Sequence, residues 1–429
     1  MKGGIKTSIK QGVIVILDFG LMSLASFAIT VLLAKSVVPE EYSLYVLATS
    51  LIMMLLSVQK ALVITPYTVI APKLKGIEKK SFQGIGLLIT VILLILCLTS
   101  LVTYIAYTDG KYEQANQFSL LLSLFCLWMF FYVIREQMRF AILADLKVKA
   151  GFLANVTGSA LILLVLGGLF IANALTLQTL LYGLILSTAV PSLIMLIVEN
   201  KNITLSTAQF TSQLSKYWSI GRWNLLNALL YSGANLSIPW LILFYSEKKS
   251  VAVYGVCLAF ASAANPLLRG VNGYLFPKMS HGYKDKGANN LWRLTRLSIL
   301  VMLVPFSSWL LVISIWGESL ITLFYSTEYA GYQTVLLLIV LKMTVETIST
   351  PINSALQTIE KAYIITAALL IGLLITVFVG INLIDLYGLL GAAVLGVISS
   401  SIMVLIKFVA LKWSIQKMNN LNTVVTGTE

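Results

Sequence analysis

Charge is scarce in this chain. Asp, Glu, Lys and Arg make up 11% of its 429 residues, against 58% hydrophobic ones. A soluble globular domain carries about a quarter charged residues, so a water-soluble fold is excluded. The mean hydropathy of +0.91 points the same way. Histidine occurs once, as His281, and cysteine three times, as Cys97, Cys126 and Cys257, each inside an apolar run. No CxxC pair or His/Cys spacing suits a metal or a disulfide framework, so the thiols read as packing groups. There is no Gly-rich phosphate loop or dinucleotide fingerprint, which excludes ATP hydrolysis by this chain. No cofactor is expected.

What is present is apolar length. A bilayer span needs about 20 apolar residues, and twelve runs qualify: 11–34, 42–70, 84–107, 118–143, 152–173, 177–198, 222–246, 251–276, 294–316, 332–357, 363–384 and 388–412. The first follows Lys2, Lys6 and Lys10, but it is too long for a signal peptide and lacks a small-residue cleavage site. The net charge of +13 is read through topology and not as nucleic-acid binding, because basic residues collect in cytoplasmic loops. With the N-terminus inside, that side receives Lys73, Lys79, Lys80, Lys147, Lys278, Lys284 and Lys417, among others. The outer loops hold Lys35, Lys111, Lys248 and Lys249 against eight acids, from Glu40 to Asp385. The reading is an all-α polytopic membrane protein of twelve spans, with both termini cytoplasmic.

The chain also repeats itself. Ile70-Ala71-Pro72-Lys73-Leu74 closes span two and Leu275-Phe276-Pro277-Lys278-Met279 closes span eight, each before a basic loop. An even period of six spans relates two halves of the same topology by an axis along the membrane normal. The expected organisation is an N-terminal six-helix bundle (1–198), a cytoplasmic linker (199–221), a C-terminal six-helix bundle (222–417) and a tail (418–429). Six prolines lie inside spans and are compatible with bent helices around a cavity.

Few ionisable residues fall within spans: Asp18, Lys60, Arg135, Glu136, Arg269, Lys342, Glu346 and Lys407. Arg269 precedes Pro277 by eight residues, about 12 Å along the helix. That puts it, with Lys60 and Asp18, in the cytoplasmic half of the bilayer. Such a cation either snorkels to the interface or faces an aqueous cavity and meets an anion. Arg222 stands at the inner start of span seven and adds a cation at the mouth of such a cavity. Arg135, Arg139 and Lys407 lie nearer the cytoplasmic ends and are expected to snorkel. Lys342 and Glu346, spaced i, i+4, share a helix face and read either as a neutralised pair or as a coupling site.

Several stretches resemble bacterial polysaccharide flippases of the Wzx type, from the superfamily that also holds lipid II flippases and multidrug and toxin extrusion exporters. They are Leu33 to Tyr45 in the first hairpin, Asn265-Pro266-Leu267-Leu268-Arg269 with Phe276-Pro277-Lys278, Trp316 to Tyr325 with Tyr329, and Tyr387-Gly388-Leu389-Leu390-Gly391-Ala392-Ala393. Ser43 departs from the glycine usual in the family at that turn. The resemblance implies two six-helix bundles forming a V around a central cavity. It also implies alternating-access export of undecaprenyl-diphosphate-linked oligosaccharide across a bacterial cytoplasmic membrane. Arg269, Lys60 and Arg222 would then bind the diphosphate, and Asp18 or Glu346 would couple release to protons or sodium. A polysaccharide polymerase and a chain-length regulator would be partners, and no nucleic acid. The rival within the superfamily is a cation-coupled multidrug exporter. An enzyme of polysaccharide assembly is disfavoured, because no extracytoplasmic loop is large enough to carry catalytic residues.

Overall fold

The computed structural model describes residues 20–108, 115–145, 147–199, 203–204, 209–262 and 265–426. Among these residues every element is helical and there is no strand. In chain order the helices are α1 (Gly20–Ser36), α2 (Pro39–Lys73), α3 (Gly76–Thr108), α4 (Ala115–Ala144), α5 (Val148–Ile171) and α6 (Leu177–Glu199). Then come α7 (Phe210–Leu236), α8 (Ile238–Tyr245), α9 (Lys248–Ser262), α10 (Asn265–Phe324), α11 (Gln333–Thr358), α12 (Tyr363–Ile375) and α13 (Ile381–Thr426).

Eight described helical stretches are long and apolar enough to cross a membrane, or nine when α7 and α8, bent by 40°, count as one span. Breaks within the longer stretches bring this count nearer the twelve expected spans. Tyr363–Asn420 is one stretch by length but turns sharply at Gly388, whose φ of +54° is open to glycine and strained for other residues. Gly287 (φ +71°) divides α10 in the same way. Gly20–Ser36 holds the described part of span one, and Lys248–Ser262 the start of span eight. The chain is a multi-pass membrane protein.

Three helices widen locally into π turns, at Lys60–Ile64, Ser232–Leu236 and Thr376–Gly380. Two of them precede a proline. Pro66 has no N–H for the carbonyl four residues back, and its ring crowds that carbonyl. The N–H of Thr65 instead reaches Lys60 O, five residues back. Before Pro239, the N–H of Ser237 likewise reaches Ser232 O, at 3.1 Å.

The chain divides into two units, 1–229 and 230–429. The division lies within α7. Residues 210–221, read from the sequence as part of a polar linker, form the first half of that helix. Tyr217 explains their place in unit 1. It is buried in a stack with Phe82 (centroids 4.1 Å apart) and, beyond it, Tyr67 (5.9 Å from Phe82). Its hydroxyl donates to Phe82 O at 2.9 Å. Tyr217→Phe should keep the stack and lose that bond, lowering stability by about 1 kcal/mol, which thermal unfolding in detergent would read.

In unit 1, α4 packs against α6, α5, α3 and α2. At one end of this unit the helix termini are tied by ion pairs. Lys79 pairs with Asp145, Lys147 with Asp145 (3.9 Å) and Glu199 (2.9 Å), and Lys216 with Glu78 (2.5 Å). These contacts join the starts of α3 and α5, the ends of α4 and α6, and the first half of α7. The hydrogen bond to Glu199 holds the Lys147 ammonium above the ordinary lysine range. In unit 2, α11 is the central helix, packed against α10, α13 and α9, and more than half of its span is buried. Met279, Leu291, Ile352, Leu356 and Leu411 form the core where these helices meet.

Candidate functional site

Lys60 and Arg222 come from distant parts of the sequence, and the fold brings their segments together. Gly221 on α7 lies against the π turn of α2. A Cβ there would meet Leu62 Cδ2 at 3.2 Å, Leu62 Cα at 3.3 Å and Ala61 O at 3.5 Å. The backbones cross this closely because the glycine has no side chain to hold Leu62 and the turn away. Lys60 and Arg222 flank the crossing, each one residue from it, and both are exposed. The Arg222 guanidinium lies over the Trp223 ring, 5.5 Å from its centroid. A glycine crossing with a cation on either side has the polarity to receive an anionic group. Asp18 and the side chain of Arg269 lie outside the described residues. Arg269 is placed only as a position on α10.

The arginines of α4 differ from expectation. Arg135 and Arg139 do not snorkel: their side chains are 10% and 3% exposed. Glu136 accounts for this. It accepts from Arg135 Nη2 at 3.1 Å and from Arg139 Nη1 at 3.2 Å, and is itself buried. The Arg135 guanidinium also sits 4.6 Å from the centre of the Tyr132 ring, a cation–π contact strengthened by dehydration. Buried guanidiniums are tolerated when a carboxylate and hydrogen bonds replace their water. The i, i+3 spacing of Glu136 and Arg139 was the available signal, and distance to the membrane edge obscured it.

Unit 2 holds the second buried polar site, a ladder of three rungs between α11 and α13. Lys342, Glu346 and Ser349 (i, i+4, i+7) share one face of α11, and Gly396, Ser400 and Lys407 line the facing stripe of α13. On the first rung, a Cβ at Gly396 would lie 3.0 Å from Lys342 Cδ, so the lysine stem rests on the glycine. On the second, Ser400 Oγ donates to Glu346 Oε1 at 2.9 Å, and Lys342 Nζ stands 3.4 Å from the same oxygen. On the third, the Lys407 ammonium donates to Ser349 Oγ. Lys407, expected to snorkel, is therefore buried and bonded to α11. Tyr254 and Tyr231 lie within electrostatic reach of Lys342 and Glu346. In both units the fourth span carries the salt-bridged acid, Glu136 in one and Glu346 in the other. No cluster of three His, Cys, Asp or Glu suited to a metal occurs among the described residues.

No family model matches the sequence, and no curated protein matches it either. Solved structures match over nearly the whole chain. An inward-facing multidrug resistance MATE family transporter of the MOP superfamily aligns at 15% identity and TM-score 0.77, covering 95% of this chain and 99% of its own. The Vibrio cholerae MATE transporter VcmN aligns as a variant at 16% identity and TM-score 0.67, with 96% and 97% covered. A MOP superfamily transporter from Pyrococcus furiosus, described as having a binding pocket of reverse polarity, aligns at 14% and 0.67, with 96% of each chain covered. These neighbours are transporters and not enzymes. At such identities the likeness is one of architecture: the chain has the fold of the MATE transporters of the MOP superfamily.

Proposed function

We propose that this chain is a secondary transporter of a bacterial cytoplasmic membrane, with both termini inside, that exposes its cargo site to one side at a time. The observation that carries this reading is the full-length likeness to a MATE transporter solved in the inward-facing state. For the cargo, the solved neighbours support a cation-coupled multidrug exporter better than the lipid-linked oligosaccharide flippase expected from the sequence.

A second reading is kept because one observation favours it. Lys60 and Arg222, two cations, are exposed at one helix crossing, and Glu136 and Glu346 each bond cations of their own helices. That polarity suits an anionic headgroup more than a cationic drug. In this reading Lys60, Arg222 and Arg269 hold the diphosphate of an undecaprenyl-linked oligosaccharide. Asp18 or Glu346 couples release to protons or sodium, and a polymerase and chain-length regulator take the product.

Proteoliposomes distinguish the two. An exporter moves a cationic dye under an imposed sodium or proton gradient. A flippase moves a labelled undecaprenyl-diphosphate oligosaccharide. In the second reading, Lys60→Ala with Arg222→Ala should slow lipid movement roughly 10- to 100-fold, the worth of one or two charge-assisted contacts. Dye transport with no lipid movement, unchanged in the double variant, decides for the exporter.

A further inference from the structure

Glu346 is unusual among buried acids because it is only partly buried. Its side chain is 34% exposed although it lies mid-helix on the central helix of unit 2. A carboxylate so placed faces water and not hydrocarbon, since leaving it unsolvated in lipid costs several kcal/mol. Lys342, by contrast, is 10% exposed, and its stem is held against Gly396. The ammonium thus reaches Glu346 Oε1 from a buried stem, while the carboxylate side chain stays about one-third exposed. Ser400 Oγ adds a hydroxyl oxygen at the same carboxylate atom, 2.9 Å away. The part-exposed carboxylate and the buried Ser400 hydroxyl are oxygen donors of the kind a hard monovalent cation takes, since such ions prefer oxygen ligands. The charges facing Glu346 are Lys342 on its own helix and Lys407 on α13, and the phenols of Tyr231 on α7 and Tyr254 on α9 lie nearby.

We infer that Glu346 and Ser400 form a sodium-type cation site in which Lys342 stands as a tethered substitute for the dissolved ion. An ammonium carries the same single charge as sodium and seeks the same carboxylate oxygen. Because it is attached four residues away on the same helix, it acts at an effective concentration set by its tether and not by the medium. A partner held in place avoids the entropy that a free ion loses on binding. In the intact protein the lysine therefore wins, and unit 2 keeps Glu346 neutralised without taking an ion from solution, which leaves Asp18 and not Glu346 as the coupling acid of the second reading. Removal of the lysine charge converts the place into one that sodium fills. The inference draws on the transporter reading for its meaning, because a unit with a built-in cation contributes no ion to the stoichiometry of coupling. Its test is binding alone, so the failure of either leaves the other standing.

The experiment is thermal unfolding of the purified full-length protein in detergent, in sodium chloride against choline chloride at equal ionic strength. The parent should show no Glu346-dependent sodium shift up to about 100 mM, where a tethered competitor still exceeds the free ion. Lys342→Met should gain a sodium-specific rise in midpoint of about 3 °C or more at the same concentration, as expected for ligand-linked stabilisation. Adding Glu346→Gln to that variant should abolish the rise. Lys342→Gln, shorter and polar but uncharged, carries the same test should the methionine variant not fold. A sodium-specific shift in the parent at millimolar concentration that Glu346→Gln abolishes overturns the inference. It is equally overturned if the lysine variants show no shift, because Glu346 then takes a proton in place of an ion, or if the shift survives Glu346→Gln.

Discussion

Gly391→Ala should all but eliminate folded protein, leaving a small fraction of the parent yield after size exclusion in detergent. The reason is geometric. A Cβ on Gly391 would lie 1.9 Å from the carbonyl oxygen of Leu383 and 2.5 Å from its carbon, with Ile384 N at 3.1 Å. All three are main-chain atoms, so no side chain can turn aside to make room. Ordinary overpacking in a core costs about 1–3 kcal/mol when neighbours can adjust. Here the backbone itself must move, and it is held by the sharp bend at Gly388, whose φ of +54° is already open only to glycine at low cost. The effect should exceed that range and open the junction between the last two spans. A parent-like yield and midpoint in Gly391→Ala would show that the bend is looser than these contacts indicate.

The second large effect concerns Glu136. Glu136→Leu leaves Arg135 and Arg139 buried with no carboxylate between them, since both bond to it at about 3 Å. Breaking a buried pair from one side costs about 3–5 kcal/mol, because the surviving charge keeps its desolvation penalty. With two guanidiniums stranded, the upper part of that range is expected, read as a fall in the unfolding midpoint of roughly 10 °C. Replacing all three at once, as Arg135→Met, Glu136→Leu and Arg139→Met, should recover most of the loss, since a well-packed apolar substitute matches a buried ion pair in stability. An exposed cluster snorkelling to the headgroups behaves otherwise. Its ion pairs are worth about 0–1 kcal/mol, and Glu136→Leu would then be nearly silent.

These two cases mark where the sequence was legible and where it was not. The spans could be read because twenty apolar residues have few other stable homes, and the basic loops set their alternation. The Tyr387–Ala393 stretch was noticed only as a family likeness, and its physical content is the pair of glycines at the bend. Arg135, Arg139 and Lys407 were misread because depth along a helix does not tell which face a residue occupies. In soluble proteins an apolar stripe gives that face, but a span is apolar towards lipid and towards protein alike. The π turns add to the difficulty, since each inserts an extra residue and shifts the phase of everything beyond it by about 100°. Lys60 sits at the first of them. Tyr217 lies in a stretch read only as a linker, and its partner Phe82 lies 135 positions earlier, so no local pattern links the two.

The ion pairs at the end of unit 1 carry a consequence for how the protein is made. Lys79, Lys147 and Lys216 belong to the excess of positive charge that, in the expected topology, orients the spans during insertion. In the folded unit each is bound to an acid: Asp145, both Asp145 and Glu199, and Glu78 respectively. The acids contribute little to orientation, so the chain can carry them without weakening the signal. In that topology the same lysines act at two times, first as charges that choose a side and later as clasps between the helix ends of unit 1.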